Sequence, residues 1–420
     1  MSDGIETAAP PRAPSGGRSA GGRPGGGRAA GERTAGGRAG PLVTAARVDL
    51  PGLTEIHLAA RPAADAVGFV AQVRSAYDAL LGAIAAHGAG PGNVVSERLF
   101  LSDIAAQAAD AAAAGRGAWG AAGGRLPAST LVQQAPALPG QLVEIQALAS
   151  VAGPGGAPAL QPLAGLPPGA SGCLVANGGV RRAHIAGLIG GRPGDALGFR
   201  SQADALFGRA ETVLHAQGLT LRNVARTWIF LADIDRDYAE LNQARRDFFT
   251  ARHVAPVPAS TGIQGIPWPS DRRLAMDVVA YDGPGVGAIR PIHAPTMNEA
   301  PVYGSDFSRG MRVDLGRRAI VHISGTASID AEGRVLHAGD PAAQARRMLL
   351  NVEQLLAGQG AGLDRLVQAV TYVKRAGDRD AILAACAAAG VPETVPHTIC
   401  VADVCRPEWL CEMEAIAVVD

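Results

Sequence analysis

One pattern comes three times along this chain, and any fold has to accommodate all three copies. GAGPGNVVSERLFLSDI, GLTLRNVARTWIFLADI and GAGLDRLVQAVTYVKRAGD correspond, as do LPASTLVQQAP, VPASTGIQGIP and VPHTICVADVCRP, and then LVEIQALA, LAMDVVA and LCEMEAIA. Asn93 and Asn223 lie 130 residues apart, Phe100 and Phe230 also 130, and Pro127 and Pro258 131. From the second copy to the third the spacing is 138 between Pro258 and Pro396 and 142 between Phe230 and Tyr372. Landmarks at near-constant offsets identify repeated supersecondary units that bury their apolar faces against one another.

Within each copy a helix is expected, in FVAQVRSAYDALLGAIAAHG, FRSQADALFGRAETVLHAQG and AAQARRMLLNVEQLLAGQG. Apolar residues recur there three and four apart, and each run ends at a Gly suited to close a helix. VARTWIFLADI and LVQAVTYVKR have the β-branched and aromatic content of buried strands. An opening hairpin is expected in VRRAHIAGLIGG and RAIVHISGTASIDAEGRV, with Asp330–Gly333 as a tight turn, whereas the matching stretch of the first copy, about 46–65, is weakly patterned. Helices alternating with strands of one sheet make an α+β layer. The expected organisation is a tail over 1–45, then units over 46–168, 169–285 and 286–420.

The tail, rich in Gly, Arg, Pro and Ala, cannot bury enough apolar surface to offset its ordering entropy, so disorder is expected. Its arginine–glycine content superficially resembles RNA-binding tails, but a solvated extension accounts for it. Its glycine strings follow no strand, so they are no dinucleotide loop. Lys plus Arg number 38 and Asp plus Glu 38, so no net field attracts nucleic acid or an anionic membrane. Aromatic residues at 4% leave little for base-stacking platforms. The five cysteines form no CxxC pair, which argues against a disulfide framework or a structural zinc site. No apolar run of about 18 residues and no signal-peptide core occur, so a soluble cytoplasmic protein is expected. GxSxG, HExxH and P-loop patterns are absent.

Chemistry concentrates in ADVCRPEWLCEMEAIA, Ala402 to Ala417, which holds Cys405, Arg406, Glu412 and Glu414. Two apart on a strand, Glu412 and Glu414 share one face. The place of Glu412 is taken by Glu144 in the first copy and Ala275 in the second, so the fold itself does not demand a carboxylate there. Arg226, in the apolar strand VARTWIFL, needs a partner. Cys400 and Cys411 read as core residues.

SGTASIDAEGRV, the helix LLNVEQLL with Asn351, TYVK and EMEAIAV together resemble the RidA/YjgF family over the third copy. YGSDFSRG (303–310), SGTASI (324–329) and ADVCRPEWLCEME resemble the chorismatase family of the FkbO type within that superfamily, well over 170–420 and more loosely over 46–168. The resemblance implies tandem RidA/YjgF-like (chorismate-mutase-like) units with mixed sheets and helices packed on one face. In one chain these would form a pseudo-trimer, as a monomer or a small homo-oligomer, with the pocket between copies two and three.

It also implies cleavage of the enolpyruvyl ether of chorismate, releasing pyruvate, with neither metal nor organic cofactor. Glu412 would be the general acid that protonates the vinyl methylene, provided that desolvation raises its pKa. Cys405 marks family members that release 3-hydroxybenzoate, by assisting ring opening or by shaping the pocket. The two carboxylates of chorismate call for guanidinium forks. Arg226 and Arg309 are the candidates, with Arg312 and Arg406 as substitutes. Tyr303 would offer a hydroxyl and Phe307 a wall, with Ser305, Thr261 and Gly262 as further lining and Glu414 in support. Within the same class, the product could be 3,4-dihydroxycyclohexa-1,5-diene carboxylate, with Ala327 shaping water access, or a 3-/4-hydroxybenzoate mixture. The alternative from another class is a non-catalytic RidA/YjgF-like ligand-binding protein. RidA-type deaminases hold substrate with an Arg in a PAR-like turn; here the turns read PAS (127–129), PAS (258–260) and PHT (396–398), which disfavours that activity. His397 reads as structural.

Overall fold

The computed structural model describes residues 43–120, 125–153 and 156–420, without the Tyr303 side chain. The expected tail lies outside these residues apart from Val43–Ala45, which already belong to the first strand.

The first layer contains β1 (Val43–Leu50), β2 (Leu53–Ala60), α1 (Phe69–Ala86), β3 (Val94–Leu101), α2 (Ile104–Gly120), β4 (Ala128–Gln133) and β5 (Val143–Ala152). The second contains β6 (Ala159–Pro162), β7 (Ser171–Asn177), β8 (Val180–Ile189), α3 (Phe199–Ala216), β9 (Val224–Leu231), α4 (Ile234–Ala251), β10 (Ala259–Gln264), β11 (Ile266–Pro267) and β12 (Leu274–Asp282). The third contains β13 (Ile289–Ile292), β14 (Gly310–Leu315), β15 (Arg318–Ala327), α5 (Pro341–Ala357), β16 (Leu366–Val373), α6 (Arg379–Ala388), β17 (His397–Val401) and β18 (Cys411–Val419).

Three six-stranded mixed sheets result, ordered β1-β2-β5-β3-β4-β11, β10-β9-β12-β8-β7-β6 and β13-β14-β15-β18-β16-β17. In each, the last long strand of the repeat enters the centre, between the opening hairpin and the strand that follows the first helix. Only β3–β4, β9–β10 and β16–β17 run parallel, because a helix connects each pair. The helices form for the expected reason: α1 buries Val73, Ala76, Tyr77, Leu80 and Ile84 on one stripe. Asp340 caps α5 by accepting from the Ala343 amide at 2.9 Å, with Pro341 following.

The structure differs from the sequence reading in four places. The weakly patterned first copy forms a fully registered hairpin, β1–β2, from Val43↔Ala60 to Leu50↔Leu53. The turn Asp330–Gly333 does not join the opening strands; it follows β15 and closes the small bridge Ile329↔Val335. β6 belongs to the middle sheet although it precedes residue 169, and β11 completes the first sheet by pairing with β4.

Each helix pair covers its own sheet, giving one apolar cluster per layer. A fourth cluster joins the opposite faces of all three sheets, with Val48, Leu148, Val175, Tyr281, Val313, Ile320 and Val418 among its members. The layers therefore pack around a pseudo-threefold axis, helices outward. No helix among the described residues is long and apolar enough to cross a membrane. On the axis a cavity of about 90 Å³ is lined by His57, His184 and His322, among others. These three stand at one register position, opposite Leu148, Val279 and Ile416.

Burial pushes the His322 imidazole down to about 3 and holds His184 well below its usual range. A base whose folded pKa is depressed stabilises the fold above its unfolded pKa, about 6.5, and that stability is lost as pH falls toward the folded value. In chemical denaturation between pH 7 and pH 4 these histidines should contribute a slope of stability falling with pH, against the opposite slope from the raised Glu412 carboxyl. His322→Gln should flatten that slope even though it loses the 2.8 Å hydrogen bond to the Tyr281 hydroxyl.

Candidate active site

Strand β18 carries Glu412 and Glu414 on one face. Glu412 stands opposite Ala327 on β15 and Tyr372 on β16, and Glu414 opposite Val370. The β15–β18 ladder slips between Ile323 and Thr326, so Ser324 and Gly325 form a bulge beside Glu412. A Cβ at Gly325 would overlap the Glu412 Oε1, so glycine is what allows the carboxyl to lie against the backbone. The bulge is held from the second layer: the Gly325 amide donates to Thr261 Oγ1 at 3.0 Å, and Ser324 Oγ accepts from the Ser260 amide at 2.9 Å. This seam between layers two and three is the expected location.

The two glutamates are buried and unlike. Glu414 accepts from Arg226 Nη2 at 2.8 Å, Trp228 Nε1 at 2.7 Å and Arg98 Nη1 at 3.1 Å. Glu412 has no hydrogen-bond partner among the described residues. Burial, and then the charge of Glu414, push its carboxyl up to about 8 against the opposing pull of Arg309 and Arg226. A carboxyl in that state holds its proton at neutral pH and can give it to a substrate.

Around Glu412, Arg309 donates from Nε to the Asn298 carbonyl at 2.7 Å and from Nη2 to Asn298 Oδ1 at 3.2 Å. Its guanidinium lies 5.6 Å from the Phe307 ring centroid, and that of Arg245, on α4, lies 5.4 Å from the same ring. Arg245 is a buried cation that the sequence reading did not single out. A signal was present: it sits four residues after Leu241 and four before Phe249, on the buried stripe of α4. The 303–310 segment is stitched to the second layer by the Ser308 amide donating to the Pro258 carbonyl at 3.0 Å and by Arg246 with Asp306 at 3.2 Å. Ser305 is buried in this segment, its amide donating to the Ala300 carbonyl at 3.1 Å. Tyr303 ends the short turn Ala300–Tyr303, and its side chain lies outside the described residues.

Cys405, half-buried between the second and third apolar clusters, is hydrogen-bonded to Tyr238. Burial, then the neighbouring Glu412, push its thiol up to about 12, so it is a neutral thiol rather than a thiolate. Gly262 makes room for the same tyrosine, since a Cβ there would stand 3.1 Å from the Tyr238 ring.

Other expectations are redistributed. Arg226 Nη2 is committed to Glu414 and, at 2.5 Å, to Thr261 Oγ1, so this arginine is first an internal counter-ion. Arg312 bonds Asp314 at 2.6 Å on β14, and Arg406 donates to the Gly333 carbonyl at 2.7 Å, its guanidinium 5.0 Å from the Trp409 ring centroid. His397 bonds Thr371 at 2.8 Å on the strand whose Thr398 meets the first layer, away from Glu412. Register also sets Thr398 level with Thr130 and Thr261, so the PHT turn runs one residue short of the PAS turns. Glu144, in the place of Glu412 in its own seam, is engaged on both oxygens by Thr398 at 2.7 Å and Gln141 at 2.9 Å. Among the described residues, no group of three or more His, Cys, Asp or Glu is arranged to hold a metal ion.

The family described as Endoribonuclease L-PSP matches residues 178–281 and 297–419, more than half of the chain, and the chain belongs to it. A 3-hydroxybenzoate synthase of Streptomyces hygroscopicus is 31% identical over 220 residues, 46% of this chain and 63% of that enzyme. The matched region thus spans less than two thirds of that relative's length. A RutC family protein of Aquifex aeolicus is 29% identical over 86 residues, 20% of this chain and 68% of its own. Among solved structures, a chorismatase superposes with a TM-score of 0.56 at 19% identity, covering 78% of this chain and 93% of its own, which establishes the shared fold. The three mixed sheets are therefore tandem RidA-like units in a pseudo-trimeric arrangement.

The Gly325 bulge gives a direct test. Gly325→Ala should cost about 1–3 kcal/mol in chemical denaturation, because backbone or Glu412 must move. Gly377→Ala, where a Cβ would meet nothing within 4 Å, should be close to neutral. Equal effects of the two would mean that Glu412 is not seated against the bulge.

Proposed function

We propose that this protein cleaves the enolpyruvyl ether of chorismate, yielding pyruvate and 3-hydroxybenzoate. The observation that carries the proposal is Glu412: a buried carboxyl pushed up to about 8, without a hydrogen-bond partner among the described residues, and drawn on by Arg309, whose guanidinium lies against the Phe307 ring. The likeness to a 3-hydroxybenzoate synthase supports this choice of substrate and product.

Glu412 gives its proton to the vinyl methylene, which becomes the methyl of pyruvate, and an oxocarbenium forms at the ether oxygen. The neighbouring ring hydroxyl attacks the carbon that bears the ether. The C–O bond breaks, pyruvate leaves with the ether oxygen, and an arene oxide forms. The hydroxyl proton returns to the Glu412 carboxylate. Opening of the epoxide and loss of the ring C–H proton restore aromaticity, so no water and no oxidant are consumed. Arg309, held from behind by Asn298, and Arg245 are the cations able to face substrate carboxylates across Phe307. As a neutral thiol, Cys405 acts by shape and weak donation during ring opening. The chain would act on a small molecule in aqueous solution, with neither a nucleic acid nor a membrane as partner.

Purified protein incubated with chorismate should release equal amounts of pyruvate and 3-hydroxybenzoate, separated by chromatography. Release of the dihydrodiol instead would keep ether cleavage and overturn the ring-opening route; no pyruvate would overturn the proposal. Glu412→Gln should lower kcat about 10²–10⁴-fold with the fold intact. Wild-type kcat should fall as pH rises through the Glu412 value, because the acid is then ionised. Cys405→Ala should keep pyruvate release within about tenfold while diverting product from 3-hydroxybenzoate to the dihydrodiol.

A further inference from the structure

In the first layer the counterpart of Glu412, Glu144, is engaged on both oxygens, yet this layer places another side chain in the charged cluster behind the site. Arg98, on β3, is 12% exposed and reaches across the axis to the other two layers. Its Nη1 donates to Glu414 Oε1 of the third layer at 3.1 Å, and its Nη2 lies 3.6 Å from Asp277 Oδ2 of the second. Asp277 is fixed in turn by Thr130 Oγ1 at 2.7 Å and the Gly187 amide at 3.0 Å. Trp228 has two guanidiniums against its ring, that of Arg98 at 4.7 Å and that of Arg226 at 4.6 Å, and also donates to Glu414. The same Arg226 bonds Thr261, which accepts from the Gly325 bulge against which Glu412 rests. An unbroken chain of contacts therefore runs from the first layer to the Glu412 seat.

We propose that Arg98 is a positioning residue for the Glu412 site, acting through Glu414 to set the charge against which Glu412 holds its proton. This rests on the reading of Glu412 as the acid for ether cleavage. The groups that face Glu412 are Glu414 on its own strand, Cys405 and Cys411 around the preceding loop, Arg309 ahead of β14 and Arg226 on β9, with Tyr372 opposite on β16. Of these, Glu414 contributes the like charge, and Arg98 is one of its two guanidinium partners. With Arg98 removed, the cluster keeps Arg226 and Trp228 on Glu414 but loses one positive charge, so Glu412 binds its proton more tightly. With Asp277 neutralised, Arg98 is left to Glu414 alone, and Glu412 binds its proton less tightly. The two substitutions act in opposite directions, which loss of packing would not produce.

The test is the titration of Glu412 in full-length protein labelled with ¹³C at the glutamate carboxyl, its resonance assigned from the signal missing in Glu412→Gln. Arg98→Met should raise the midpoint by about half a pH unit or more, and Arg98→Lys should restore it. Asp277→Asn should lower it. In a Glu414→Gln background, Arg98→Met should shift the midpoint by less than in wild type, because Arg98 then lacks the carboxylate that anchors it beside the site. An unchanged or lowered midpoint in folded Arg98→Met would overturn the proposal, as would an equal shift with Glu414 absent. Should Arg98→Met fail to fold, the Asp277→Asn midpoint decides alone, and an upward shift or none overturns it. Because the titration needs no substrate, failure of wild-type protein to release pyruvate would sink the functional reading and leave this result standing.

Discussion

A carboxylate buried where three layers meet has to be paired, or it destabilises the whole assembly. Glu414 is that group: it accepts from Arg226, Trp228 and Arg98, which come from the two other layers. Such clusters are weak evidence for net stability, because desolvation offsets much of the attraction, but removing one partner leaves an uncompensated charge. What the cluster provides is discrimination. Three similar sheets around an axis could exchange neighbours; at this register position one central strand carries Gln146, one Asp277 and one Glu414, facing Arg98, Trp228 and Val370. In the arrangement observed, Arg98 meets both carboxylates, Glu414 and Asp277.

The same device separates the three seams chemically. Where Glu144 meets the third layer, its oxygens are taken by Thr398 and Gln141. In another seam Ala275 stands in that place, and Thr130 turns to Asp277 instead. Only beside Glu412 does the equivalent threonine, Thr261, serve the bulge and Arg226, leaving the carboxyl unengaged by described residues. The two glutamates thus differ by structural hydrogen bonds that Glu144 accepts and Glu412 does not accept from the described residues.

Much of this was legible in the sequence. The offsets between copies reported repeated α+β units, and the alternation Glu412–Met413–Glu414 placed both carboxyls on one face. The β1–β2 hairpin was hidden because its pairing is fixed by backbone register while its side chains, rich in Ala and Thr, lack contrast. Arg98 was missed although VVSERLFL poses the same question as VARTWIFL: an arginine in an apolar strand needs a carboxylate. Arg226 stood out as a clamp for substrate, but its bond to Glu414 was not legible, because a sequence does not say which carboxylate lies nearer. The slip of one residue before Thr398 was masked by proline, the visible landmark, whereas the ladder keeps count from the central strand. Arg245 was hidden by its setting in a helix, where cations usually face water.

Carrying the three units on one polypeptide frees each of them from copying the others. In an assembly of identical subunits, a glycine bulge like that at Gly325 would be cut into every interface at once, and each would bear its cost. Here the ladder slips in β15 and, at Ala186 and Gly187, in β8, while β2 pairs with its neighbour without a slip from Leu53 to Ala60. Mutation could therefore explore chemistry at one interface while the other two kept the scaffold closed.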